Sequence, residues 1–398
     1  VKPEDIMRGS PPHAEAQVTL SNWRNHPFSQ WSFRNVQQLL PTASIRRARH
    51  ASPLPSAIRQ LLPLQFKTAD AQINSVADTL RTGHADSLVV LHRGTVVTEW
   101  YDHGMTPDTP HLVCSVSKSI TGTVAGVLMD RGQLNPDALV SDYVPELKDA
   151  AYGRCKVRHL LDMCSAMAFD EDYEKQDGDV VRYRVATGWD NPRAGQARTE
   201  DQRAFLAQMQ SSGDPAGARM EYISTNTDML GWVLEAASGQ PFAQLLSTLI
   251  WAPMGAENDA YITLDPSGAA RTAGGICVTP RDLARFGEMI RQRGLANGQQ
   301  VVPGCVVDDI RHGGDAQAFA IGDLKDIFPG CRYRNQWYSL DAEQGRLGAV
   351  GIHGQWLWID MAREVVIVKT ATQPKAMDVP IDHRWLAAFS AIADHLNN

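Results

Sequence analysis

Hydrophobic and polar positions divide the chain into stretches with different periods. Residues 1 to about 65 carry Trp23, Trp31, Pro53 and Pro55 among Arg and Ser with no sustained repeat, which predicts an extension that wraps the rest of the molecule. From 68 to 80 the apolar spacing is helical. Residues 87–92 and 95–101 then read as two β-strands joined at Arg93-Gly94, a hairpin signal. The helical period returns over 116–130, where Ile120, Val124 and Val127 share a face. Gly122, Ala125 and Gly126 are small enough there to admit close neighbours, so a central buried helix is expected.

Between about 142 and 300 the periodicity is mostly helical, over 157–163, 202–209, 227–237, 242–251 and 280–291. Beyond that, 333–340, 347–353, 355–359 and 364–370 read as successive antiparallel strands, and 385–396 as a closing helix. These elements predict an α+β fold in which one antiparallel sheet, flanked by helices, is built from both chain ends. The expected division is an N-terminal extension at 1–65, a sheet lobe from 66–140 and 301–398, and a mostly helical lobe inserted at 141–300. A cleft belongs at the seam, where ligand sites are favoured.

Composition narrows the function. With 398 residues, 43% of them apolar, the chain can bury one large core or two moderate ones. A formal net charge of −7 offers no basic footprint for nucleic acid. Apolar runs such as 88–91 and 365–368 fall far short of the ~18 residues that a membrane helix needs. A small-molecule ligand is expected, with neither nucleic acid nor membrane as partner; whether the chain pairs as a homodimer is left open. The six cysteines form no Cys-x-x-Cys pair, which fits reduced thiols and a cytoplasmic setting. The start is polar and has no signal-peptide pattern, yet it lacks Met, so a removed leader also stays open.

Three segments carry candidate chemistry. Ser115-x-x-Lys118 opens the central helix, and the three-residue spacing puts hydroxyl and amine on one face. A helix N-terminus favours developing negative charge, and a desolvated lysine has a lowered pKa and can accept the serine proton. Tyr222 precedes a run of capping residues; it reads either as a proton relay, its pKa lowered by a nearby lysine, or as a packing tyrosine ahead of an N-cap at Ser224 or Thr225. Gly351-Ile-His-Gly-Gln355 either admits a substrate against the backbone, with a main-chain N–H completing an oxyanion hole, or is only a tight hairpin. No Gly-x-Ser-x-Gly elbow, phosphate loop, dinucleotide-binding glycine pattern or His-x-x-x-His pair occurs, so neither metal nor cofactor is expected. Asp170, Glu171 and Asp172 read as a solvated helix start or loop.

In order and separation, Ser115-Val-Ser-Lys118, Tyr222-Ile-Ser224 and His353-Gly-Gln355 resemble the three motifs of penicillin-recognising serine hydrolases, the group of class C β-lactamases, D,D-peptidases and related esterases. Within that group the chain is most similar to the nylon-oligomer hydrolases. The shared segments include Tyr143-Val-Pro-Glu-Leu147, Leu161-Asp-Met163, Glu171-Asp-Tyr173, Gly188-Trp189, Asn226-Thr-Asp228, Arg281-Asp-Leu-Ala-Arg285 and Gly351-Ile-His-Gly-Gln355. The resemblance implies a β-lactamase/transpeptidase-like fold and an acyl-enzyme hydrolase of esters or amides. It makes Ser115 the nucleophile, Lys118 and Tyr222 the proton carriers, and the N–H groups of Ser115 and Ile352 the oxyanion hole. It also implies that Tyr173, Arg184, Trp189, Ala273, Tyr338 and His353 face substrate, with Tyr173 at the leaving amine and Trp189 on a closing loop. Arg184 stands where those relatives carry an acidic residue for an ammonium, Ala273 where they carry a polar residue, and His353 where lactamases carry lysine. A cation cannot hold an ammonium, so an ester with an uncharged or acidic portion suits this chain better than the 6-aminohexanoate dimer. The alternative of another class is an acyl-binding or penicillin-binding sensor that is acylated without turnover.

Overall fold

The computed structural model describes residues 1–193, 195 and 197–398. Seven strands form one antiparallel sheet in the order Arg332–Arg334, Trp337–Asp341, Arg346–Gly351, Gln355–Asp360, Val365–Ala371, Ala85–His92 and Thr95–Tyr101. The early and late parts of the chain meet where Val365 pairs with His92 and Val368 with Val89. Alternate residues serve opposite faces. Leu88, Val90, Trp356, Trp358 and Ile367 pack beneath the C-terminal helix Val379–Asn397 with Trp385 and Phe389. Val89, Leu91, Leu357, Ile359, Val366 and Val368 face the helices Val116–Asp130 and Pro280–Arg291. Both faces are covered, which is why these strands read as unbroken apolar runs rather than an alternation.

The central helix Val116–Asp130 is buried along nearly its whole length. A β-carbon at Gly122 would lie 1.9 Å from the carbonyl oxygen of Asn335, so only glycine lets the helix rest on the Asn335-Gln336 turn. That turn also corrects the strand expected over 333–340. Asn335 and Gln336 both take positive φ, and the segment folds into two short strands instead of one. The helix expected over 68–80 is likewise shorter: Gln65–Lys67 and Ile73–Ser75 pair as strands, and the helix runs Val76–Thr82. Ser75 Oγ accepts the Asp78 N–H at 3.0 Å, a capping bond that stops the helix from starting earlier.

A second sheet, in the order Thr42–Ile45, Ala260–Thr263, Ile276–Val278 and His111–Leu112, runs beside the mostly helical middle of the chain. The N-terminal segment donates its first strand and buries Trp23, Phe33 and Val36 against Leu112, Cys114 and Trp189. All six cysteines are free, and Cys305 alone among them is exposed. Among the described residues no helix is long and apolar enough to cross a membrane.

Candidate active site

Ser115 caps the N-terminal end of the central helix. Cys114, just before it, has φ +44°, a left-handed backbone that costs a non-glycine residue free energy and turns the chain sharply into the helix. One turn on, Lys118 is buried, with Nζ 2.8 Å from Ser115 Oγ, 3.0 Å from Ser224 Oγ and 2.9 Å from the carbonyl oxygen of Ala273. Burial pulls its pKa down to about 8; Glu171 works against the shift and Arg271 adds to it.

Tyr222 turns its phenol toward Ser115 and Tyr338, and Lys118 Nζ sits over its ring, 5.0 Å from the centroid. The lysine therefore meets the face of the ring, not the hydroxyl. Burial raises the phenol pKa, with the Ser115 hydroxyl opposing, so the expectation of a lowered value is reversed. Tyr222 is a neutral phenol in this site.

Gly351 and Gln355 pair across a hairpin whose turn holds His353 and Gly354 at positive φ. A β-carbon at 351 would stand 2.7 Å from the Val113 carbonyl oxygen and 3.0 Å from Ser115 N, so glycine is what lets this strand end lie against the head of the helix. Among the described residues neither Ser115 N–H nor Ile352 N–H has a backbone acceptor. His353 is fixed by its own N–H to the Ala376 carbonyl and by Nδ1 to the Gln373 carbonyl, both at 2.8 Å; burial holds its pKa down to about 4, leaving the ring uncharged at neutral pH.

Several residues carry more than their local sequence suggested. The carboxylate of Glu171, expected in a solvated loop, accepts the Ser224 N–H and hydroxyl and the Tyr173 hydroxyl, which places it beside Lys118. Asp228 Oδ1 accepts the Ala273 N–H at 2.8 Å, and its Oδ2 pairs with the buried Arg271 and the Tyr183 hydroxyl. Ala273 thus serves Lys118 through its main chain. Asn226 Oδ1 accepts the hydroxyls of Tyr152 at 3.0 Å and Ser165 at 2.6 Å and stays in the core.

Two chambers open on Ser115. One is apolar, walled by Tyr222, Leu324, Ile327, Phe328, Tyr338 and Met377, with Tyr173 at the partition. The other is the polar one by its side chains, Arg24, Glu171, Arg184 and Arg271 beside Trp189, although much of the surface they turn to it is apolar. Trp189, expected on a closing loop, is instead a buried wall: its Nε1 lies 3.2 Å from Thr263 Oγ1, and its carbonyl accepts Trp23 Nε1 at 2.9 Å. Arg24 was not singled out by sequence because its segment has no period; the signal that could have flagged it is Trp23-Arg24, a large apolar residue beside a charge. Among the described residues no three His, Cys, Asp or Glu side chains converge to hold a metal ion.

A serine and a buried lysine at the head of a central helix, a tyrosine from the helical region and a strand edge with a free N–H define the β-lactamase class of serine hydrolases. The chain belongs to the β-lactamase family, whose family model matches residues 73–391. It is 35% identical over 382 residues to the 6-aminohexanoate-dimer hydrolase of Paenarthrobacter ureafaciens, covering 96% of this chain and 94% of that one. It is also 28% identical over 166 residues to the esterase EstB of Burkholderia gladioli, 41% of each chain. A solved Bacillus anthracis structure assigned as a 6-aminohexanoate-dimer hydrolase superposes with a TM-score of 0.87 at 24% identity, covering 96% of this chain and 98% of that one.

Proposed function

We propose that the protein hydrolyses carboxylic esters or amides through an acyl-enzyme on Ser115. The observation that carries this reading is the 2.8 Å contact between a buried Lys118 amine and Ser115 Oγ. A lysine with a pKa near 8 is neutral in a useful fraction of molecules near neutral pH. Lys118 Nζ takes the Ser115 proton as Oγ attacks the carbonyl carbon, and the N–H groups of Ser115 and Ile352 hold the oxyanion. Tyr222 gives its proton to the leaving atom and is left as a phenolate. Water then attacks the acyl carbon as its proton passes to that phenolate, and the Lys118 ammonium, 2.8 Å from Ser115 Oγ, returns a proton to Oγ as it departs. Glu171 and Ala273 act as positioning residues for Ser224 and Lys118. Six free cysteines, five of them buried, support a cytoplasmic setting.

Stopped-flow hydrolysis of a short p-nitrophenyl ester, with intact-mass detection of the adduct and Ser115→Ala as control, tests the reading. A burst followed by steady turnover, both lost in the variant, is expected. Turnover of Ser115→Ala near the wild-type rate would overturn it, and adduct without turnover would make the protein an acylated sensor instead.

A further inference from the structure

The polar chamber holds an imbalance of charge that catalysis at Ser115 does not explain. Arg24 Nη2 lies 2.6 Å from Asp190 Oδ1, and Arg184 Nε lies 2.9 Å from Asp190 Oδ2, so two guanidinium groups share one carboxylate. The other acids there are engaged. Glu171 is held by Ser224 and Tyr173, and Asp228 by Arg271. Glu174 stands exposed at the mouth. Among the described residues, Arg24 Nε and Arg271 Nε are buried N–H groups with no acceptor, and Arg184 Nε meets Asp190 without hydrogen-bond geometry. Arg271 itself is 7% exposed and lines the chamber that Arg24 and Arg184 enter. Burial and the neighbouring Arg24 both press on the charge of Arg184. Two cations that share one carboxylate and both line a chamber open to Ser115 are further relieved by a second anion bound there.

The two chambers also fix which end of a substrate goes where. Tyr222, the proposed donor to the leaving atom, walls the apolar chamber and not the polar one. The leaving group therefore belongs with Phe328 and Tyr338, and the acyl portion with the arginines. We infer that the enzyme acts on esters or amides whose acyl chain ends in a carboxylate, bound between Arg24 and Arg184, with an apolar or aromatic leaving group. This rests on the hydrolase reading and narrows it. His353, uncharged at neutral pH, gives such a carboxylate no competing cation.

The test compares mono-p-nitrophenyl adipate and suberate, which carry the terminal carboxylate, with p-nitrophenyl hexanoate and octanoate, which lack it. For each variant the neutral ester is its own reference, so the readout is the ratio of kcat/KM values. The wild type should prefer the anionic esters by about tenfold or more, mainly through KM, as charge-assisted contacts predict. Raising NaCl should shrink the preference. Arg184→Gln and Arg24→Gln should each reduce it, and the double variant should lose it. Arg184→Glu should turn it toward p-nitrophenyl 6-aminohexanoate, a reversal that a merely unfolded variant cannot produce. Equal ratios in the wild type, or a preference that survives the double substitution, would overturn the substrate class while the hydrolase reading stood. No turnover of either ester would overturn both.

Discussion

The carbonyl oxygen of Ala273 lies 2.9 Å from Lys118 Nζ, so one of the amine's three oxygen partners belongs to the backbone. No side-chain change at 273 removes it. The segment is placed instead by Asp228, which takes the Ala273 N–H and neutralises Arg271. Asp228→Ala leaves the Arg271 charge buried without its counter-ion, and urea unfolding should show a loss of about 3–5 kcal/mol. A loss below ~1 kcal/mol, on the scale of an exposed ion pair, would show that the pair does not hold this segment.

Lys118 sets the pH dependence. Its pKa of about 8 lies below that of an ordinary lysine, and the neutral amine is the base, so kcat/KM should rise with pH and level off above about 8. Lys118→Arg keeps the charge but cannot give up its proton, and should lower kcat by about 10³ or more. A flat profile between pH 6 and 9 would remove the lysine from the base role.

Glu171 raises the Lys118 pKa by its negative charge. Glu171→Gln removes that charge, so the rising limb of the profile should move to lower pH while kcat falls through the loosened Ser224. A loss of rate with an unmoved limb would make Glu171 structural only.

Gly351→Ala would place a methyl group 3.0 Å from Ser115 N and 2.7 Å from the Val113 carbonyl. The expected outcome is a drop in kcat of ~10²–10³, as when an oxyanion donor is lost, with an unchanged far-UV circular dichroism spectrum.

Trp23 is fully buried, lies edge-on to Trp189 at 5.2 Å and donates to its carbonyl. Trp23→Ala should cost about 3–5 kcal/mol in stability and raise KM, since the wall of the polar chamber loses its support. Limited proteolysis should then cut first within residues 1–40.

The parts of the molecule that were legible in sequence are those whose signal is local. The helix Val116–Asp130 ends where its period does, and the Arg93-Gly94 turn takes the paired positive φ that tight hairpins need. Ser115 and Lys118 sit one turn apart, so their meeting follows from helix geometry alone. Glu171 and Arg24 were not legible because their partners, Ser224 and Asp190, lie far away in the chain. The second sheet escaped for the same reason. Its strands are two to four residues long and come from four separate regions, too short to show a period. The pKa of Tyr222 lies opposite to the sequence expectation because burial outweighs a neighbouring charge that meets only the face of the ring.

The pairing of Val365–Ala371 with Ala85–His92 has a consequence for synthesis. A chain leaving the ribosome carries Ser115 and Lys118 out well before the strand edge that brings Ile352 to them. Until the late strands dock, the early hairpin has an open edge and the serine faces half an oxyanion site. Ser115 is thus expected to stay unreactive until those strands dock, and its acylation by a fluorescent ester would report the moment when Val365–Ala371 closes the sheet.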